Sequence, residues 1–103
     1  EERFAKSYAR GKFRIKNWGK QRIVRELKFR EISTYNIKTA LQEIDEKEYL
    51  KSIHDLATKR NQQIIEVNPY QRKQKLIGFL QRKGYEMDLV YKVVNSIVEA
   101  KQT

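Results

Sequence analysis

His54 beside Asp55 is the one pairing in this 103-residue chain that invites a catalytic reading. A single imidazole without a nucleophile or a second ligand performs no recognised reaction, so His54 reads as a surface histidine on an amphipathic helix. Glu43, Asp45, Glu46 and Glu48 fall where one helix ends and the next begins, and capping and helix-dipole effects account for them there. The absence of Cys removes thiolate nucleophiles, thiolate metal sites and disulfides together. Four glycines scattered singly make no phosphate-binding loop. The expectation is a protein that is not an enzyme and needs neither metal nor cofactor.

The chemistry that the side chains do support is the binding of negative charge. Lys and Arg outnumber Asp and Glu by 23 to 13, for a net charge of +10. The excess is blocked rather than spread. Arg10, Lys12, Arg14, Lys16, Lys20, Arg22, Arg25, Lys28 and Arg30 are opposed within their stretch by Glu26 alone. A second block holds Arg72, Lys73, Lys75, Arg82 and Lys83. Clustered charge of one sign repels itself and destabilises the compact state, so its retention points to a polyanion or an acidic protein surface. Trp18, Arg22, Arg25 and Phe29 have a spacing that puts them on one helical stripe, opposite Ile23, Val24 and Leu27. Two tasks suit the aromatics of such a stripe: packing against a neighbouring unit, which is preferred, or stacking on the bases of a single strand.

The elements that position these residues come from an internal repeat. Trp18 to Ile44 returns as Gln71 to Ile97 without a gap, pairing Ile23 with Leu76, Leu27 with Leu80, Ile32 with Tyr85 and Leu41 with Val94. Lys20 pairs with Lys73, Arg22 with Lys75 and Arg30 with Lys83, so core and basic surface repeat together. Helical periodicity, with Asn17, Ser33, Asp45 and Asn68 as start signals and Gly84 as a stop, predicts six helices and no strand. The fold class expected is all-α, as two tandem three-helix repeats over residues 1–44 and 45–103. The second repeat carries about eight extra residues between its first two helices, within 60–68. No apolar run reaches a membrane-spanning length and no signal peptide opens the chain, which reads as cytoplasmic. It also reads as a piece cut from something longer.

Glu2-Arg3-Phe4-Ala5 before a basic stretch, then Gly19 with Arg22, Ile23, Glu26 and Leu27 on a basic helix followed by a short apolar one, resembles the RecX family of bacterial recombination regulators. The resemblance covers nearly the whole chain and corresponds to the second and third three-helix repeats of that family. Glu31 stands where the family commonly has Gly, whereas Gly84 keeps that residue in the second unit. The resemblance implies a negative regulator of recombination and repair that binds the RecA filament on single-stranded DNA through its basic helices and inhibits it. It implies no membrane and no small-molecule substrate. The alternative is a helical DNA-binding module that acts directly on nucleic acid.

Overall fold

The computed structural model describes residues 1–102, with side chains as far as Glu99. Six helices follow in order: α1 Glu2–Lys16, α2 Lys20–Phe29, α3 Thr34–Leu41, α4 Glu46–Gln63, α5 Pro69–Lys83 and α6 Met87–Gln102. No strand occurs among the described residues. None of the helices is long and apolar enough to cross a membrane. Helices α1 to α3 pack on one another, α4 to α6 do the same, and the molecule is elongated at 48 × 24 × 21 Å.

The repeated apolar positions form the core. Ile23, Leu27, Ile37 and Ala40 are buried in the first unit, and Leu76, Leu80, Val90 and Val94 in the second. Three of the four expected start signals cap their helices. Ser33 Oγ accepts from Asn36 N at 3.1 Å, Asp45 Oδ2 from Glu48 N at 3.1 Å and Asn68 Oδ1 from Gln71 N at 3.1 Å. Each side-chain oxygen satisfies an amide that the helix itself leaves without a partner.

Asn17 departs from expectation. It closes α1 in the left-handed region at φ 59°, and α2 starts two residues past Trp18 with Gly19 as its N-cap. Gly19 has no side chain to offer the first amides of α2, and the second unit satisfies them instead. Gly19 N donates to the Lys83 carbonyl at 2.8 Å, Gln21 N to the Gly84 carbonyl at 3.0 Å, and Lys20 N to the Tyr49 hydroxyl at 2.8 Å. The positive end of α2 therefore meets the negative end of α5.

The extra residues of the second unit are shared between helix and connection. Helix α4 has 18 residues against 15 in α1, and the extended segment 64–68 is longer than the link 17–19. Helices α2 and α5 end alike. Glu31 N donates to Lys28 O and Ile32 N to Leu27 O, while Gly84 N donates to Gln81 O and Tyr85 N to Leu80 O. This closure needs a left-handed residue, which Gly84 supplies at φ 101° and Glu31 supplies at φ 62°. The Glu-for-Gly difference thus leaves the turn geometry intact and stores strain in it.

Three substitutions test the backbone. A Cβ on Gly19 would lie 2.4 Å from the backbone of Gly84 and Tyr85, so Gly19→Ala should lower stability by about 1–3 kcal/mol, the usual cost of overpacking. Gly11, inside α1, has nothing within 4 Å of such a Cβ, and Gly11→Ala should instead stabilise by about 0.5–1 kcal/mol. Equal melting temperatures for the Gly19 and Gly11 variants would contradict the close approach of the start of α2 to the end of α5. Glu31→Gly should raise stability by about 1 kcal/mol by removing a side chain from the left-handed region, read from denaturant midpoints against wild type.

Candidate polyanion and partner interface

Beside the amide-to-carbonyl contact, the junction is lined with aromatic rings and cations. Phe13, Tyr49 and Tyr85 stack in a row, with centroids 5.8 Å and 5.3 Å apart, and join the two cores. The Tyr49 hydroxyl accepts from Lys20 N and donates to Glu86 Oε1. Burial, and then the bond to Glu86, push the Tyr49 phenol well above its ordinary value, so it stays a neutral donor. The Tyr85 hydroxyl donates to the Asn17 carbonyl at 3.1 Å.

A second row of rings runs over the outside of the first unit and is covered by cations. Phe4, Tyr8 and Trp18 follow one another with centroids 5.6 Å and 6.4 Å apart. Arg30 lies 4.9 Å from the Tyr8 centroid, Lys12 lies 5.4 Å from Tyr8 and 4.9 Å from Trp18, and Arg22 lies 4.2 Å from Trp18. Arg22 also donates to the Arg82 carbonyl at 3.1 Å, and Lys83 Nζ donates to the Lys16 carbonyl at 3.0 Å. Cations of the two units meet here. Burial, and then the positive charges of Arg22, Lys16 and Arg60, hold the Lys83 ammonium below its ordinary value. Arg60 continues the line, 4.2 Å from the Phe79 ring, and with Arg82 it borders a hollow of about 640 Å³.

The chain of cations Arg30, Lys12, Arg22, Lys16, Lys83, Arg60 and Arg82 is one strip shared by both units. Six of these residues stand out in the sequence as candidate sites. Arg60 does not, nor do Phe4, Tyr8 and Phe79 beneath the strip, of whose aromatics only Trp18 stands out in the sequence. Arg60 falls in the inserted stretch of the second unit, where the repeat offers no counterpart to align. Phe79 lies next to Leu80 in sequence, and only the turn of α5 sets it on the surface side.

The remaining candidates lie elsewhere. Arg10 bonds Glu43 at 2.7 Å, Lys20 bonds Glu46 at 3.2 Å, Lys73 bonds Glu99 at 3.5 Å and Lys75 bonds Glu66 at 2.5 Å. Arg72 closes the end of α4, donating to the Asn61 carbonyl, Asn61 Oδ1 and the Ile64 carbonyl at 2.7–2.8 Å. Arg14 is exposed beside a hollow bordered by Asp55 and Lys59. Arg25 and Lys28 border a separate hollow with Val24 and Leu41.

The expected single stripe of Trp18, Arg22, Arg25 and Phe29 is therefore divided. Trp18 precedes α2 and packs on Tyr8 of its own unit, Arg22 turns into the junction, Arg25 borders the hollow with Val24 and Leu41, and Phe29 is 84% exposed. Trp18 packs within its own unit, on Tyr8, rather than against the neighbouring unit. Arg22 and Lys75, paired by the repeat, also differ in use, because the carbonyl end met by α2 has no counterpart beside α5.

Two family models match this chain. The model of the RecX second three-helix domain matches residues 1–41, and that of the third three-helix domain matches residues 46–94. The chain belongs to the RecX family. No curated protein and no solved structure matches it. It is a helical regulator of the RecX type, and its two family domains meet where the cation strip crosses from α2 to α5.

Arg22 and Arg25 have unequal tasks, and stability measurements can separate them. Arg22→Glu removes a stacked guanidinium and turns a carboxylate toward the Arg82 carbonyl, which should cost about 1–3 kcal/mol. Arg25→Glu, at an exposed position with no carboxylate or carbonyl partner among the described residues, should stay within about 0.5 kcal/mol of wild type. Melts of both variants followed by circular dichroism check this, and an unperturbed Arg22→Glu would contradict its place in the junction.

Proposed function

We propose that this chain is a negative regulator of recombination and repair that binds the RecA filament on single-stranded DNA and inhibits its activities, using units 1–44 and 45–103 together. The observation that carries the proposal, beside the family, is the strip of cations that crosses the junction with no acidic residue paired to it among the described residues. Burial first, and then the positive charges of Arg22, Lys16 and Arg60, depress the Lys83 ammonium, and a bound polyanion would relieve the repulsion among those charges. Phosphates of the strand within the filament, or carboxylates on the filament surface, would both serve. A cytoplasmic location belongs to the same proposal.

The aromatic bed refines the mode of contact. Trp18 and Tyr8 already carry Lys12, Arg22 and Arg30 over their rings, so the strip offers cations outward and holds its rings beneath. Contact with nucleic acid is then through phosphates, indifferent to sequence. Its affinity should fall steeply with salt, with a log-log slope of about −0.7 per contact on a single strand. Less supports direct reading of a duplex by α2, because helix-turn-helix proteins read bases with the N-terminal residues of the recognition helix, and those of α2 are bonded to α5.

Lys16 and Arg82 test the proposal with little risk to the fold, since both are exposed and neither side chain has a charged partner among the described residues. Lys16→Glu combined with Arg82→Glu should melt within about 1 kcal/mol of wild type. The double variant should need at least about tenfold more protein to inhibit RecA ATPase activity and strand exchange, because charge reversal replaces attraction with repulsion at a complementary interface. A folded double variant that inhibits as well as its parent would remove the strip from the interface.

A further inference from the structure

The hollow beside α2 that the cation strip leaves unused has its own chemistry. Val24 and Leu41 are its apolar residues, Lys20 and Glu86 stand at the end nearer the junction, and Arg25 and Lys28 stand on its rim. Its volume is about 550 Å³, large enough for one or two bulky side chains. At 100° per residue Lys28 lies about 120° around α2 from Arg22, so this hollow and the strip occupy different faces of the same helix. Lys20 is paired with Glu46, and Glu86 accepts from Tyr49. Arg25 and Lys28 have no carboxylate within bonding distance among the described residues.

We propose that this hollow is a docking site for an acidic segment of a partner protein, which places a large apolar side chain on Val24 and Leu41 and its carboxylates on Arg25 and Lys28. Charge complementarity selects the occupant. An apolar floor with unpaired cations on its rim matches a peptide with one apolar anchor among acidic residues. A nucleic-acid strand, uniformly charged along its backbone, would gain nothing from the aliphatic floor. None of the described residues that line it carries an aromatic ring on which a base could stack. Arg25 and Lys28 thus belong to recognition of an acidic protein segment, on a face of α2 apart from the strip. The assignment goes beyond the RecA proposal and stands whether or not the acidic partner is RecA.

The test uses the whole chain and a short fluorescein-labelled peptide in which a Leu-Phe pair is flanked on both sides by acidic residues. A second peptide of equal charge carries Ser-Ser in place of Leu-Phe, and a labelled oligothymidylate serves as the nucleic-acid probe. Fluorescence anisotropy should show the Leu-Phe peptide binding at least about tenfold more tightly than the Ser-Ser peptide, since apolar burial of one anchor is worth that much. Arg25→Glu with Lys28→Glu should abolish peptide binding, keep the wild-type melt and leave oligothymidylate binding within about twofold. Equal affinity for the two peptides would overturn the apolar anchor. Loss of oligothymidylate binding in parallel with the peptide would overturn the division and make the hollow part of the nucleic-acid surface. Peptide binding that survives the double reversal would place the acidic segment elsewhere.

Discussion

The rest of the molecule depends on the amide groups at the start of α2. A helix begins with amides that it cannot satisfy itself, and Gly19 brings no side chain to cap them. They bond the carbonyls that close α5, and the two helix dipoles meet end to end. That contact requires bare backbone on both sides. A Cβ at Gly19 would meet Gly84, and a Cβ at Gly84 would meet Arg22 at 2.3 Å. Two glycines in different units thus set how closely the units approach and, through that distance, which side chains line the seam.

The charge pattern of the surface follows from this approach. Lys83 and Arg22 stand at the two helix ends that meet, so bringing amide to carbonyl also brings cation beside cation. Part of the repulsion is offset locally, by Arg22 on the Trp18 ring and the Arg82 carbonyl and by Lys83 on the Lys16 carbonyl. The remainder leaves a surface poised for an anion. The same residues that join the two units therefore form the proposed binding strip, and a ligand on the strip would add a bridge between the units.

Much of this was legible in the sequence. The matched apolar positions Ile23 with Leu76 and Leu27 with Leu80 gave both cores, and Ser33, Asp45, Asn68 and Gly84 marked helix ends by local chemistry. Asn17 misled because Asn suits both the start of one helix and the left-handed end of another, and only the tertiary contact of Gly19 decides between them. The repeat also overstated the equivalence of the basic residues. Arg22 and Lys75 align, yet one enters a junction and the other pairs with Glu66, since two units in tandem share one seam. Arg72 looks like surface charge in sequence, and its role in closing α4 depends on the extended segment 64–68. The separate surroundings of Arg22, at the junction, and Arg25, at a hollow, lay beyond periodicity, which puts the two only about 60° apart.

The central claim is that the strip across the junction addresses a filament rather than naked nucleic acid. Co-sedimentation with RecA filaments formed on single-stranded DNA, across a salt series run beside the same DNA without RecA, tests it most directly. The account predicts that the chain leaves naked DNA as salt rises and still sediments with the filament at a concentration where naked DNA has released it. Release from filament and from naked DNA at the same salt concentration would contradict the account and favour a module that acts on nucleic acid alone.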